Sequence, residues 1–397
     1  MQVPRFEPFA ALRYSPSLSL DDVAAPPYDV LSDRDVDALL ARHPRNIVAI
    51  DVPRDSDGPD RYAQAARRLH DWVAEGSLVL DDAPTFTLYR MHFNDETGAP
   101  RDTVGVLGAL EVVDEGAGGV LPHERTTPKA KSDRLDLTRA TNTNLSPVWG
   151  LSLTAGLTDL LREPGEPVGS CHDEHGVLHS VERVTDPARV AAIADAVSAN
   201  PVLIADGHHR YAISRTFRDE VRAEHGTATP AELTLAYVAE LVEDQLSIDA
   251  IHRVYHGVTA DELQQLLEPC FTATDAGVVT AACAGEVVTR GALCLVRPDG
   301  TGTWLTPRPE VLADVRALDG AYLEHALRDH NIDVTYQHGV QQVVDLVAAN
   351  DATVGVLIRP TSIAEIRRTA DERLLMPPKS TFFTPKLRTG AVLRPLA

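Results

Sequence analysis

Apolar and polar positions follow one another in blocks along the chain, and the clearest block begins after Pro201. Residues 202–205 are all apolar and predict a buried strand, which Asp206 and Gly207 end. Ile213, Phe217 and Val221 follow at a spacing of four, which predicts a helix with one apolar face. The pattern therefore predicts a strand, a tight turn and a helix, with Asp206-Gly-His-His-Arg-Tyr211 at the junction.

The same patterns predict further elements on both sides of this junction. Helices are predicted over residues 59–75, 187–199, 261–267, 319–330 and 340–349, with a short helix after a Ser32–Asp35 capping box. Strands are predicted over residues 46–50, 86–93, 103–113, 232–241, 251–256, 292–296, 303–305 and 353–358. This order predicts an α+β fold. We expect an N-terminal domain over 1–256 and a smaller C-terminal α+β subdomain over 257–397, whose basic tail returns toward the junction.

Composition narrows the function classes. The 397 residues carry a formal net charge of −21, which opposes a generic nucleic-acid-binding surface and makes a nucleic-acid partner an unfavoured hypothesis. No apolar run is long enough to span a membrane, and the N-terminal residues show no leader pattern. The four cysteines form no C-x-x-C pair. We therefore expect a cytoplasmic protein with reduced thiols and no membrane partner.

The junction itself carries residues suited to anion chemistry. A helix start offers unpaired N–H groups to an anion, and Gly207 permits a sharp turn and a close approach. Arg210 can fork onto a phosphate or carboxylate, Asp206 can bind a metal or act as a base, and His208 and His209 can carry protons. The alternative is a polar helix start, in which Asp206 caps the first turn and the histidines are solvated.

A basic segment stands out against the acidic chain. Its basic residues are Arg125, Lys129, Lys131, Arg134 and Arg139. Such a cluster indicates a site for a strongly anionic ligand, although a solvated helix face paired with Asp133 and Asp136 is the alternative. His123 and Glu124 precede it, where a proton-transfer pair or a metal ligand would be useful.

Other candidate residues lie in three polar or proline-rich turns. Tyr28 and Asp29 follow a proline pair and either enter a pocket or only stiffen the turn. The turn that contains Asn144 could line the same site. Lys379-Ser-Thr381 could deliver an ammonium group and two hydroxyls to phosphate oxygens, or the basic tail could only complement the charge of its own protein. The spacing in Cys171-His-Asp-Glu-His175 permits a metal, but the surrounding residues favour a hairpin loop.

Four motifs in order resemble a widespread prokaryotic family, domain of unknown function 1015. They are Ala25-Pro-Pro-Tyr-Asp29, Leu121-Pro-His-Glu-Arg-Thr126, Asp206-Gly-His-His-Arg-Tyr211 and Met376-Pro-Pro-Lys-Ser-Thr381. Asp206-Gly-His-His-Arg210 also resembles the nucleotide-phosphate-binding turn of the ParB/sulfiredoxin superfamily, to which archaeal free-serine kinases belong. The resemblance implies a ParB/sulfiredoxin-like core with large insertions, since about two hundred residues precede the turn.

Together these observations predict a small-molecule kinase that is serine-kinase-like. It would transfer a phosphoryl group from ATP, ADP or another polyphosphate, with Mg²⁺, to a small hydroxylated metabolite, with free serine as the first candidate. The alternatives are a ParB-like nucleotide-binding regulatory protein without kinase activity and a phosphatase-type hydrolase. The donor, the acceptor and the oligomeric state stay open.

Each candidate residue has an expected role in that reaction. The catalytic candidates are His123, Glu124, Asp206, His208 and His209, of which Glu124 and Asp206 are also the metal candidates. The phosphate-binding candidates are Arg125, Lys129, Gly207, Arg210, Lys379, Ser380 and Thr381. The substrate-binding candidates are Tyr28, Asp29, Arg134 and Asn144.

Overall fold

The structure is a computed structural model that describes residues 3–95, 98–124, 132–350 and 352–396. Its helices are α1 (Leu20–Val23), α2 (Asp33–Arg42), α3 (Val48–Asp51), α4 (Arg61–Ala74), α5 (Ser132–Thr141), α6 (Leu157–Arg162), α7 (Pro187–Ser198), α8 (His208–His225), α9 (Ala260–Leu267), α10 (Cys283–Arg290), α11 (Pro309–Leu312), α12 (Asp319–Ala326), α13 (Val340–Ala348) and α14 (Ile363–Glu372). Short 3₁₀ turns, such as Tyr28–Val30, lie between them.

The strands are β1 (Phe6–Glu7), β2 (Leu12–Tyr14), β3 (Leu78–Leu80), β4 (Phe86–Asn94), β5 (Pro100–Glu111), β6 (Val120–Pro122), β7 (Thr143–Asn144), β8 (Val148–Ser152), β9 (Glu166–His172), β10 (Leu178–Val184), β11 (Val202–Asp206), β12 (Leu233–Glu240), β13 (Ser247–Asp249), β14 (His252–His256), β15 (Phe271–Val278), β16 (Leu293–Val296), β17 (Thr301–Pro307), β18 (Asp333–Gln337), β19 (Thr353–Leu357), β20 (Phe382–Thr384) and β21 (Arg394–Pro395). The fold is α+β, as the sequence predicted.

The chain divides into two compact units. Unit 1 comprises Met1–Ser247, Ala370–Arg373 and Pro385–Ala397, and unit 2 comprises Ile248–Thr369 and Leu374–Thr384. The predicted boundary after residue 256 therefore falls too late, because β14 is an inner strand of the unit 2 sheet, paired with β18 and β19.

A large mixed sheet forms the centre of unit 1. Among the described residues its strand order is β6-β11-β8-β12-β5-β4-β10-β9, with β1 paired to β5. Strand β11 runs parallel to β6 and antiparallel to β8. Residues 202–205 of β11 are buried, as their apolar run predicted, and Asp206 is the first partly exposed position. The strand therefore carries its only acid to the place where the chain leaves the sheet.

Helix α8 follows β11 and buries the predicted face. Ile213 and Phe217 pack with Leu135 of α5 and with Leu396, and Val221 packs against this cluster. Burying an apolar side chain of this size stabilises a fold by roughly 1.5–3 kcal/mol. The cluster thus fixes α8, and with it the turn at its start, against both α5 and the end of the chain.

Residues 46–50 form the turn before α3 and its first residues, and the predicted strand is wrong. The Asn46 side chain donates to Asp22 O at 2.8 Å and to Ala24 O at 3.1 Å, and its carbonyl oxygen accepts from Val48 N at 3.2 Å. An asparagine that bonds its own backbone two residues on initiates a turn or helix rather than a strand. The apolar run that suggested a strand is instead a buried single turn.

Unit 2 contains a six-stranded antiparallel sheet in the order β15-β17-β16-β19-β14-β18. Its strand β16 is buried on both faces: Leu293 and Leu295 belong to one apolar cluster, and Cys294 and Val296 belong to another. That alternation follows the period of two in a β-strand. The strands predicted over 292–296 and 303–305 are present as β16 and β17, which pair antiparallel.

Candidate active site

The β11–α8 junction has the predicted strand–turn–helix geometry. Gly207 adopts the left-handed backbone conformation (φ 83°, ψ 28°), and no side chain of the described residues caps the start of the 18-residue helix α8. Gly207 N donates to Asp206 Oδ1 at 2.9 Å. The carboxylate of Asp206 therefore lies beside the positive end of the helix dipole.

Asp206 lies between two cations. Its Oδ2 accepts from Arg210 Nη2 at 3.2 Å and from Lys386 Nζ at 3.2 Å. Burial alone would raise the pKa of Asp206, but the charges of Lys386 and Arg210 lower it well below its usual value. Arg210 also donates to Pro147 O. Asp206 is thus a fixed negative charge that organises both cations.

The rings of two histidines near Asp206, His123 and His208, lie close together. The His123 and His208 ring centroids are 4.9 Å apart, and His123 Nδ1 is bonded to Ile204 O. Burial lowers the pKa of His123 to about 4, and burial together with His123 lowers the pKa of His208 to about 3. Both rings are therefore neutral at pH 7, so neither supplies an acidic proton there.

The remaining catalytic candidates occupy the edges of this cluster. Among the described residues, His208 Nε2 is buried without a hydrogen-bond partner. His209 is half-buried on the first turn of α8. The parallel register pairs Ile204 with Pro122, two residues before Glu124. Glu124 Oε2 lies 3.9 Å from His123 Nε2.

The proline-rich turn near the N-terminus supplies an aromatic surface. The Arg134 guanidinium carbon lies 3.9 Å from the centre of the Tyr28 ring, and Arg134 also binds the buried carboxylate of Asp51. Asp29 is exposed. Burial would lower the pKa of Arg210, but Asp206, Asp29, Tyr28 and Asp51 raise it. Tyr28, Asp29 and Arg134 therefore lie within electrostatic reach of the junction.

A pocket lies along the first turns of α8. Its lining includes Arg134, Thr138, Thr143, Asn144, Ser146, Arg210, Ser214 and Thr234. Two guanidinium groups and a ring of hydroxyls suit a small, polar, anionic ligand. Asn144 Oδ1 accepts from Leu235 N at 3.0 Å, which fixes the orientation of its amide in the pocket wall. The pocket brings three predicted residues together: Arg134, Asn144 and Arg210.

The other predicted phosphate-binding residues belong to unit 2 or lie outside the described residues. Lys379, Ser380 and Thr381 belong to unit 2, where Ser380 Oγ donates to Pro377 O at 2.7 Å and Lys379 has a left-handed backbone (φ 59°). Arg125 and Lys129 lie outside the described residues. Arg139 pairs with Asp136 and Glu220 on the surface, as the solvated-face alternative expected.

Lys386 and Asp51 are the charged site residues that sequence reasoning missed. Lys386 follows the Met376–Thr381 motif in a C-terminal segment without acidic residues. The basic composition of this segment indicated the right part of the chain but not which lysine lies at the site. Asp51 directly follows the apolar run 46–50, which was assigned to a strand. In the described ranges, no group of three or more His, Cys, Asp or Glu side chains could hold a metal ion. None of the described helices is long and apolar enough to cross a bilayer.

Comparison with known proteins places the chain in a family. Residues 6–321 match the family described as "Protein of unknown function (DUF1015)", and the chain belongs to it. No curated protein matches the sequence.

Several solved structures are similar in fold. A mutant free serine kinase in complex with AMP is 12% identical, with a TM-score of 0.38, and the match covers 67% of this chain and 84% of that one. Another mutant in complex with ADP is 13% identical, with a TM-score of 0.36 and coverages of 67% and 84%. A C-terminally truncated SbnI from Staphylococcus aureus is 14% identical, with a TM-score of 0.41 and coverages of 73% and 87%.

Proposed function

We propose that this protein is a nucleotide- or polyphosphate-dependent phosphotransferase that acts on a small hydroxylated metabolite, with free serine as the first acceptor to test. The observation that carries the proposal is the β11–α8 junction. There an uncapped 18-residue helix begins at a left-handed glycine, and Asp206, Arg210 and Lys386 meet in front of it. A helix start suits a phosphate group when a glycine lets the ligand approach the helix amides and two cations lie beside it.

The cations would act on the phosphate that is transferred. Arg210 and Lys386 would neutralise the charge that builds up on the phosphoryl oxygens, and Gly207 would let these oxygens approach the helix amides. For this, a guanidinium N–H of Arg210 must leave Asp206 or Pro147 O and donate to the ligand instead. Arg134, at the wall of the adjacent pocket, would bind an anionic group of the acceptor.

The proton balance favours Glu124 over Asp206 as the base. In the transfer, the acceptor hydroxyl oxygen forms a bond to the terminal phosphorus, the bond to the leaving phosphate oxygen breaks, and the hydroxyl proton passes to a carboxylate. A good general base has a pKa near the working pH. Asp206 is kept ionised by its cations and is a weak base, so the proton would go to Glu124.

Mg²⁺ fits this site only in the way typical of phosphate enzymes. Such enzymes hold Mg²⁺ with one or two carboxylates and complete its shell with phosphate oxygens and water. Asp206 would hold the ion, and Glu124 would keep its role as the base, because a carboxylate bound to Mg²⁺ is a weak base. The ion would supply positive charge to the phosphate beside Arg210 and Lys386.

The first test is a thermal-shift screen with ATP, ADP, CTP, pyrophosphate and phosphoserine, each with and without Mg²⁺. Ligands that bind the native state raise the unfolding midpoint by mass action. We expect a shift in wild type that is lost in Arg210→Met and kept in Arg215→Met, because Arg215 lies on the same helix but pairs with the exposed Glu115. No shift with any compound would contradict an anion site at the junction.

Turnover separates the kinase from its alternatives. With the bound nucleotide, ³¹P NMR should show phosphate transfer that requires the acceptor and is abolished by alanine at Arg210 or Glu124. Phosphate release without an acceptor would identify a phosphatase-type hydrolase. Binding without turnover would identify a ParB-like nucleotide-binding regulator.

A further inference from the structure

A hydrogen-bonded row of buried polar side chains lies in unit 1 and ends at the C-terminal segment that carries Lys386. Tyr89 on β4 and His179 on β10 are each 2% exposed. Tyr89 Oη lies 3.0 Å from His179 Nδ1, and His179 Nε2 lies 3.3 Å from Asp173 Oδ2. Most buried polar groups in proteins are hydrogen-bonded, and each of these is. This row of side chains needs an explanation because the proposed phosphoryl transfer uses none of them.

The direction of the hydrogen bonds follows from the last partner. The backbone N–H of Arg388 donates to Tyr89 Oη at 2.9 Å. The Tyr89 hydroxyl can then donate its own proton to His179 Nδ1, which leaves the other His179 proton on Nε2, facing Asp173. Burial would raise the pKa of Asp173, but His179 and the backbone N–H groups of Val177 and His175 lower it to about 2. The chain therefore runs from a fixed carboxylate to the backbone of Arg388.

The segment that contains Arg388 is tied down at two more points. Arg388 Nη1 lies 3.0 Å from Glu174 Oε2, in the same turn as Asp173. Thr389 and Ala25 exchange backbone hydrogen bonds of 2.8 Å and 3.0 Å. Lys386 comes two residues before Arg388, so these ties fix the backbone from which its side chain reaches Asp206.

We propose that Asp173, His179 and Tyr89 are positioning residues that anchor the C-terminal segment at Arg388 and thereby hold Lys386 against Asp206. The placement of Lys386 stands on the contacts alone; only its use as a phosphate-binding cation rests on the proposed function. The turn Cys171-His-Asp-Glu-His175 then has a role as a docking point for the end of the chain rather than as a metal site.

Chemical labelling of Lys386 tests the proposal without any assay of turnover. The sequence contains four lysines, at positions 129, 131, 379 and 386, so amine acylation followed by mass spectrometry resolves each one. An amine held by a carboxylate reacts slowly, because it must leave its partner first. Asp206→Asn removes the charge of that carboxylate. The acylation rate of Lys386 in this variant is therefore the reference for an amine that Asp206 no longer holds.

Tyr89→Phe is the decisive variant, and the chain offers a matched control. Phenylalanine keeps the ring but leaves Arg388 N without its acceptor and His179 Nδ1 without its donor. We expect Lys386 to label several-fold faster, toward the rate in Asp206→Asn, while Lys379 labels as before. Tyr237→Phe should change neither rate: its ring centre is 6.0 Å from that of Tyr89, and no described group hydrogen-bonds its hydroxyl.

Glu174→Ala, a substitution at the surface, tests the same proposal if Tyr89→Phe does not fold. The Glu174 side chain is 55% exposed, so Glu174→Ala removes a tie to Arg388 without opening the core. A smaller rise in Lys386 labelling is expected. Unchanged labelling in the folded Tyr89→Phe protein, or in Glu174→Ala if Tyr89→Phe does not fold, would overturn the proposal. Faster labelling in a protein that proves to lack phosphotransfer would uphold the anchor while removing the proposed function.

Discussion

Lys386 Nζ donates to Asp206 Oδ2 at 3.2 Å, across 180 positions of sequence. The contact joins the end of the chain to the strand–turn–helix junction, and both residues belong to unit 1. It makes the C-terminal segment part of the candidate active site. Removal of either partner leaves a charge that was balanced by the other, so the pair can be tested from both ends.

Lys386→Met should lower the free energy of unfolding by about 1–2 kcal/mol at pH 7, because Asp206 loses a charged hydrogen-bond donor in a partly buried place. The loss depends on Asp206 being ionised. Since the pKa of Asp206 is lowered in the folded protein, this contribution is full above its ordinary value of 3.8 and is lost gradually as pH falls from there through the lower pKa of the folded state. Urea unfolding at pH 7 and at low pH measures the difference. Lys379→Met, in unit 2, is the control, and an equal loss there would count against the pairing.

Gly207→Ala should weaken the binding of a phosphate compound as well as the fold. An added Cβ would lie 3.0 Å from Arg210 Cζ at a φ of +83°, so the arginine must move and the backbone is strained by roughly 1–3 kcal/mol.

Gly226→Ala is the matched control for Gly207→Ala. Gly226 ends the same helix with a φ of +75° and has nothing within 4 Å of the added atom. Both variants should lose stability in urea, but only Gly207→Ala should lose affinity in a pyrophosphate or nucleotide titration. Equal affinities would show that Arg210 tolerates the displacement.

The neutral state of His123 predicts an acid-sensitive fold. Burial lowers the pKa of His123 from 6.5 to about 4, so the unfolded chain binds the proton more readily between these values. The contribution of His123 to stability is therefore complete above pH 6.5 and falls by about 2–3 kcal/mol as pH drops to 4. His123→Asn, which keeps a donor for Ile204 O, should flatten this part of the stability curve. His70→Asn should not, because the His70 side chain is 83% exposed.

Local patterns predicted the elements of the junction because strand, turn and helix are each encoded by neighbouring residues. The apolar run before Asp206, the glycine and the Ile213–Phe217 face all appear as expected. The capping box at Ser32 is likewise present, for the same reason. Such signals need no knowledge of distant contacts.

The contacts that complete the site depend on distant segments, which no local pattern specifies. Lys386 was indistinguishable in sequence from Lys379, and only the fold decides which lysine enters unit 1. Asp51 was missed because the side-chain bonds of Asn46 turned an apolar run into a helix. The neutrality of His123 and His208 likewise follows from burial, which the spacing of the residues does not give.

Arg134→Lys should separate the role of a guanidinium from that of a positive charge. Lysine keeps the charge but cannot stack on Tyr28 and fork onto Asp51 at once, so the pocket wall loses its rigid donor. We expect the affinity for an anionic acceptor to fall by roughly tenfold and stability by about 1–2 kcal/mol.

Arg139→Lys is the control on the same helix, since Arg139 is a surface residue that pairs with Asp136 and Glu220. Isothermal titration with the acceptor and with the nucleotide, in separate experiments, checks both variants. A loss confined to the acceptor would assign the Arg134 pocket to the acceptor and leave the phosphate donor to the junction. A loss confined to the nucleotide would reverse that assignment, and no loss in Arg134→Lys would remove the pocket from the site.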